Sequence, residues 1–165
     1  MKEVFPHHDI TQKTLAILPS KSIHYGALVL EENRKILVNQ TPLEILKTNC
    51  LYYFSSYDGR REAVRQQLGY KRKVPIPISP SQHLLAFPTH SPEHYDCTWL
   101  FYHNIFQVVP HAESSPDSPK SKVIFKSGKE LDIDVSCFVL EKQVYRAGMC
   151  ERRFSGKRGG FVSLG

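Results

Sequence analysis

The sequence lacks any apolar run long enough to cross a membrane, which takes about 18–20 residues. Its first ten residues, MKEVFPHHDI, also lack the apolar stretch of a signal peptide. We therefore expect a cytoplasmic protein with no membrane partner. No CxxC pair is present, so the cysteines are most simply buried thiols, although their even number also allows a disulfide. These cysteines are Cys50, Cys97, Cys137 and Cys150.

Signatures of catalysis are missing as well. Ser55, Ser56, Asp96 and His103 supply the residue types of a hydrolytic triad, but no GxSxG motif surrounds either serine. The glycines of GKRGG follow no predicted strand and open no predicted helix, so they do not form a phosphate-binding loop. No compact carboxylate set is available to hold the metal of a nuclease. We expect no enzymatic activity and no catalytic residues.

Metal-binding residue types occur close together in one segment, at His90, His94 and Cys97, with His103 nearby. Their spacing matches no common zinc pattern, and a second cysteine pair is missing. Histidines in a loop beside a buried cysteine explain this segment better. We predict no metal site and no cofactor.

The chain has 165 residues, enough for one domain with a hydrophobic core. Its net charge is +6 and its isoelectric point is about 9.2. An excess of positive charge favours an anionic partner, such as nucleic acid or a phospholipid surface, but does not bear on the fold.

Hairpins and short helices alternate along the chain without a regular strand–helix–strand repeat. KTLAILP is predicted to be a strand, and residues 25–40 a hairpin that turns within EENRK. Thr41, Pro42 and Glu44 have the pattern of a helix with a capping box. A second helix is expected before Gly69, with Ala63, Val64, Gln67 and Leu68 on its inner face.

The second half of the chain shows the same alternation. HLLAFP is a predicted strand, and residues 97–109 are predicted to be one strand covered on both sides. KVIFKSGKELDIDV is the clearest hairpin, with an acidic solvent face. The longest helix should start after Ser136 and end near Phe154. We therefore predict one α+β domain of mainly antiparallel strands and hairpins with about three helices, residues 1–154, followed by a loose tail, residues 155–165.

Positive charge is concentrated in two segments. Residues 59–73 and residues 142–158 each contain six basic residues and one acidic residue, so each carries a net charge of +5. Contact with double-stranded DNA would use this charge, although basic residues also make ordinary solvated helix faces. The predicted DNA-contact residues are Arg60, Arg61, Arg65, Lys71, Arg72, Lys73, Lys142, Arg146, Arg152 and Arg153.

Helical geometry predicts which residues of the second basic segment, residues 142–158, share one face of the helix. At about 100° per residue, Lys142, Arg146 and Arg153 lie within about 40° of one another. Leu140, Val144 and Ala147 fall on the other side, with Cys137. The pattern predicts a cationic ridge opposite an apolar face, which would present charge to a phosphate backbone.

Several pieces of the sequence, taken in order, resemble the ComK family, the competence transcription factors of Bacillus-type Gram-positive bacteria. They cover roughly residues 10–154, and their ordered combination is more specific than any single piece. The pieces are KTLAILP, CLYYFSSYDGRREA, PIPISPSQHLLAFPT, the strand that begins CTW, VIFKSGKELDIDVS and KQVYRAGMCERRF.

The resemblance implies a cytoplasmic DNA-binding activator without enzymatic activity. Family members recognise paired A·T-rich boxes, largely through the minor groove, and act as multimers that switch on genes for DNA uptake. The resemblance thus implies A·T-rich double-stranded DNA, further copies of the chain, RNA polymerase and an adaptor-protease system as partners. It supplies no residue-level signature for DNA contact.

The end of the sequence departs from the family pattern, because family members continue well past the helix that ends in RRF. Here SGKRGGFVSLG follows, and we expect a shortened member of the family. An alternative function is an inactive remnant that acts only as a protein-interaction module. A second alternative is RNA binding through exposed aromatic residues of LYYF and WLFY.

Overall fold

The computed structural model describes residues 3–164, and the side chains of residues 3–155. Within that range the chain forms a single α+β domain with three helices and ten strands, mainly antiparallel, so the predicted fold class is confirmed. None of its described helices is both apolar enough and long enough for a bilayer span.

A seven-stranded sheet forms the body of the domain, in the order β1-β4-β3-β2-β7-β6-β5. All neighbouring strands are antiparallel except β1 and β4. Its strands are β1 (Val4–Phe5), β2 (Thr14–Pro19), β3 (Ala27–Glu31), β4 (Lys35–Val38), β5 (Ile76–Ser79), β6 (Leu84–Pro88) and β7 (Trp99–Phe101).

A three-stranded antiparallel sheet lies beside it, in the order β10-β9-β8. Its strands are β8 (Ile105–Pro110), β9 (Ser121–Phe125) and β10 (Glu130–Ile133). The hairpin of β9 and β10 is confirmed, with Gly128 at a positive φ of 93° in its turn. Its outward face is acidic, as predicted, and Glu130 pairs with Lys122 at 3.0 Å.

Residues 97–109 do not form one strand, and that prediction was wrong. A short 3-10 turn, Tyr102–Asn104, separates β7 from β8, so the two strands belong to different sheets. The Asn104 side-chain amide fixes this turn by donating to the backbone carbonyls of Gln12 and Thr14, both at 2.9 Å. The apolar pattern continues through the turn, because both strands have sides that pack on the core.

Three helices cover the sheets: α1 (Pro42–Tyr52), α2 (Tyr57–Leu68) and α3 (Cys137–Leu164). The predicted capping box is present in α1, where the Thr41 hydroxyl accepts from the Glu44 amide and the Glu44 carboxylate accepts from the Thr41 amide. Helices α1 and α2 pack on each other and on β5. Helix α3 packs on β6, β8 and β9, and so joins the two sheets.

Helix α3 is longer than predicted, because its backbone continues to Leu164 instead of ending near Phe154. The Ser136 hydroxyl accepts from the Val139 amide at 3.2 Å, as expected of its N-cap. The division into a domain of residues 1–154 and a tail of residues 155–165 stays a prediction.

Candidate nucleic-acid interface

Helix α2 and the loop after it carry the first basic segment. The helix starts at the Ser56 cap, whose hydroxyl accepts from the Gly59 amide at 2.9 Å, and it ends at Gly69 in the left-handed conformation with φ 75°. Residues 70–73 then lead into the buried Val74. Lys73 has a positive φ of 49°, which is costly for a side chain with a Cβ and depends on the surroundings that hold it.

Helix α3 lies directly against this loop. The Arg146 guanidinium donates to the backbone carbonyl of Arg72 at 2.7 Å, and the Arg153 guanidinium donates to the backbone carbonyl of Gln67 at 3.0 Å. The two basic segments, far apart in sequence, are therefore side by side. We call this surface the cationic seam and define it as Lys71, Arg72, Lys73, Lys142, Arg146 and Arg153.

Gln143 connects the seam to the core. Its side chain is only 1% exposed, and its amide donates to the carbonyls of Lys73 at 3.0 Å and Pro88 at 2.8 Å. Its own carbonyl oxygen accepts from Arg146. One buried side chain thus fixes the loop, the end of β6 and a cation of the seam, which satisfies each of these polar groups.

Arg146 is held by stacking as well as by hydrogen bonds. Its guanidinium carbon lies 4.3 Å from the centre of the Tyr70 ring. Burial lowers the pKa of Arg146 and Tyr70 opposes that shift, but a guanidinium keeps its proton near neutral pH. The side chain is consequently a fixed positive charge at the centre of the seam.

Lys73 lies in a strongly positive environment. Burial lowers its pKa first, and the charges of Arg146 and Lys142 lower it further. His90, close by, also has a lowered pKa, chiefly through burial and His94, although Asp96 and Asp134 oppose that shift. Cations gathered in this way repel one another, and a bound anion would relieve the repulsion.

Carboxylates do not neutralise the seam. Across residues 3–155, none of the ten predicted DNA-contact residues forms an ion pair with an aspartate or glutamate. The ion pairs of lysine and arginine found there involve Lys21, Arg34, Lys120 and Lys122. The positive charge of the seam is therefore free for an external anion.

The cationic seam includes six of the ten predicted DNA-contact residues. The other four, Arg60, Arg61, Arg65 and Arg152, are not part of it. The charge of Arg60 opposes the raised pKa of Cys50 in α1, and the buried Nε of Arg60 has no hydrogen-bond partner among the described residues. Arg61 lies beside Tyr57, whose pKa burial raises to about 12 while the arginine opposes the shift. Arg65 is half-buried on the same helix.

The ridge of α3 does not face away from the core as predicted. Leu140, Gln143, Ala147 and Cys150 are the buried residues, and the centre of their face is about 100° rather than about 160° from the centre of the ridge. The ridge therefore flanks the core and contacts the loop after α2. Arg152 is exposed, about 100° around the helix from Arg153, and the side chains of Lys157 and Arg158 are outside the described residues.

Sequence reasoning missed Tyr70 and Gln143, although both lie within or beside the basic segments. It also treated the aromatic pieces LYYF and WLFY alike. Trp99 and Phe101 are core residues, whereas Tyr52 and Phe54 are 68% and 99% exposed at the end of α1. Of these two pieces, LYYF is the one that presents exposed aromatic rings.

The cysteines are free thiols in the described structure, and three of them are buried. Burial raises the pKa of Cys50 and Cys97 to about 11 and that of Cys150 to about 12. These thiols stay protonated at neutral pH and are therefore weak nucleophiles. The expectation of buried thiols is confirmed for Cys50, Cys97 and Cys150, while Cys137 is half-buried.

Comparisons with known proteins cover both halves of the seam. A protein-family model described as ComK protein matches residues 6–159. A curated relative, the Competence transcription factor of Bacillus subtilis (strain 168), is 25% identical over 151 residues, which cover 91% of this chain and 76% of the relative. No solved structure matches the chain.

Proposed function

The chain belongs to the ComK family, and on this premise we propose that it is a DNA-binding regulator of genetic competence, with no enzymatic activity. The observation that supports DNA binding most directly is the cationic seam, where two basic segments meet without carboxylate partners among the described residues. Cations gathered in this way suit a phosphate backbone.

In this proposal the seam binds phosphates, and one or two arginines enter the minor groove of A·T-rich boxes. Arginine suits the narrow groove of A·T-rich DNA, where base pairs differ mainly in groove width and in the guanine amino group. Binding to paired boxes by several copies of the chain would add affinity through effective concentration. The partners RNA polymerase and an adaptor-protease system, and action in the cytoplasm, are proposed from family membership.

A titration of the protein into labelled duplexes tests this function. We expect tighter binding to an A·T-box duplex than to a G·C-rich duplex of equal length, because shape readout favours the narrower groove. The affinity should also fall steeply between two salt concentrations, with a slope of about −0.9 per phosphate contacted.

Two other outcomes would contradict the proposal. Equal and weak binding to both duplexes would favour the protein-interaction module. Tighter binding to single-stranded RNA would favour RNA recognition, to which the exposed rings of Tyr52 and Phe54 would contribute.

The lowered pKa of Lys73 predicts a pH dependence of DNA binding. Its ammonium loses its proton at a lower pH than an ordinary lysine, whose value is 10.5, so the seam loses charge as the pH rises. As the pH rises toward 10.5 we expect the affinity for DNA to fall several-fold. Lys73→Arg should retain its affinity over the same range, because a guanidinium stays protonated.

Fluorescence anisotropy at fixed ionic strength would measure this effect, with Lys120→Arg as the control. Lys120 pairs with Glu113 at 3.9 Å, away from the defined seam, and its replacement should leave the pH profile unchanged. Identical pH profiles for wild type and Lys73→Arg would show that Lys73 does not contact the DNA.

A further inference from the structure

Two histidines and one glutamate converge from three separate elements, far apart in sequence. His83 follows the 3-10 turn Pro80–Gln82, His103 lies in the turn between β7 and β8, and Glu151 lies on α3. His83 Nδ1 is 2.6 Å from Glu151 Oε1, and His103 Nε2 is 3.7 Å from Glu151 Oε2. One ligand atom from each residue fits within 4.8 Å of the others.

Gln12 fixes the backbone next to both histidines of this cluster. The Gln12 side-chain amide donates to the carbonyl of Gln82 at 3.2 Å, next to His83. The Asn104 amide, next to His103, donates to the carbonyl of Gln12 at 2.9 Å. Both histidine-bearing turns are thereby held in place before any ligand binds, which lowers the cost of binding.

His83 has an unusual backbone conformation. Its φ of 58° and ψ of 36° lie in the left-handed region, which is unfavourable for a residue with a Cβ. Such strain is found preferentially at ligand-binding positions. On the other side of the cluster, Gly148 lets α3 approach closely, because a Cβ there would lie 2.9 Å from the Tyr102 hydroxyl.

His103 has an unused ring nitrogen. Its Nε2 is buried and has no hydrogen-bond partner among the described residues, although the Glu151 carboxylate is nearby. An imidazole nitrogen that carries no proton is the form that binds a metal ion.

We propose that His83 Nδ1, His103 Nε2 and the Glu151 carboxylate bind a divalent transition-metal ion, with Zn²⁺ as the preferred ion and water as the fourth ligand. Two imidazoles and one carboxylate are a common zinc donor set, whereas Mg²⁺ and Ca²⁺ prefer oxygen ligands throughout. Tetrahedral ligands at about 2.0–2.1 Å lie about 3.3 Å apart, so small side-chain rotations bring these three atoms to the required distances.

Bound metal would fasten α3 to both histidine-bearing turns. Glu151 lies on α3 between Arg146, which contacts the loop after α2, and Arg153, which contacts the last turn of α2. The metal would therefore stabilise the helix that supplies half of the cationic seam. This inference does not depend on the proposed DNA binding, because the metal site uses none of the seam residues.

Isothermal titration of Zn²⁺ into chelator-treated full-length protein tests the site. We expect one zinc ion per chain, and at least about tenfold weaker binding in His83→Gln and in Glu151→Gln, each of which removes one ligand. The control is His94→Gln, an exposed histidine stacked between His90 and Tyr95, which should bind zinc like the wild type. Circular dichroism would verify that each variant is folded.

A second measurement separates a built site from an adventitious one. Co²⁺ should give the intense visible bands of a four-coordinate ion in the wild type and in His94→Gln, but not in His83→Gln. Zinc at about a hundredfold excess over Kd should raise Tm by about 5–10 °C. Absence of stoichiometric zinc binding, or equal binding by His83→Gln and the wild type, would overturn the proposal.

Discussion

Replacing Arg72 and Lys142 together with alanine is expected to weaken binding to every duplex on the order of 10- to 100-fold, since each charged contact contributes about 0.7–1.4 kcal/mol. Both side chains are exposed. Arg146 donates to the backbone carbonyl of Arg72, and the charge of Lys142 helps to lower the pKa of Lys73. The salt dependence should also become shallower by about 2 in log–log slope, one unit for each lost phosphate contact.

The matched control removes two cations that already have carboxylate partners. Lys120 pairs with Glu113 and Lys122 with Glu130, so Lys120→Ala with Lys122→Ala changes the net charge equally. This control should bind DNA within about twofold of the wild type apart from the long-range effect of net charge. If the two double variants lost the same affinity, total charge rather than the seam would govern binding.

Gln143→Ala is expected to lower the free energy of unfolding by about 2–4 kcal/mol, because it leaves buried polar groups without partners. The carbonyls of Lys73 and Pro88 lose their donor, and Arg146 loses an acceptor. Chemical denaturation followed by circular dichroism would measure the change. The variant should also bind DNA more weakly, since the loop that carries Arg72 and Lys73 is no longer held.

A surface glutamine provides the control for this second variant. Gln66 is exposed on α2 and donates only to Glu62 among its described partners, so Gln66→Ala should change stability by no more than about 0.5 kcal/mol. A Gln143→Ala protein as stable as Gln66→Ala would show that water replaces the lost hydrogen bonds. In that case Gln143 would not be the residue that fixes the seam.

The Arg72→Ala, Lys142→Ala double variant tests the charge of the seam, and Gln143→Ala tests how the seam is held in position. Helix α3 joins the two sheets through its buried face and contacts the loop after α2 through its basic flank. Charge on the seam can therefore be removed at exposed positions without disturbing the core. Gln143 connects the seam to the core, so its replacement affects both. Comparing the variants distinguishes loss of charge from loss of position.

Much of the local structure was predictable because its causes are local. The capping box at Thr41 and Glu44, the glycine end of α2 and the alternation along β9 and β10 depend on residues close in sequence. Residues 97–109 were misassigned because the features that divide them are distant. The turn at Asn104 is fixed by carbonyls of residues 12 and 14, which no periodicity in residues 97–109 could reveal.

The inner face of α2 shows the same limit. Val64 is buried as predicted, but Ala63 and Gln67 are exposed and Tyr57 is buried instead. Helical spacing predicts which residues share a face, and it does not predict which face a neighbouring helix or strand will cover. For the same reason, the basic ridge of α3 was predicted to lie opposite the core, whereas it lies beside the buried face of the helix.

The sequence by itself determined the fold class, the family and the presence of two basic segments, because composition, short-range pattern and residue order carry that information. Only the tertiary structure decided that Arg146 and Arg153 meet the loop after α2 and the end of α2, and that His83 and His103 meet Glu151. These contacts join residues about 50 to 90 positions apart, and they depend on how α3 packs across both sheets. Such packing results from the whole core, which no single segment of the sequence encodes.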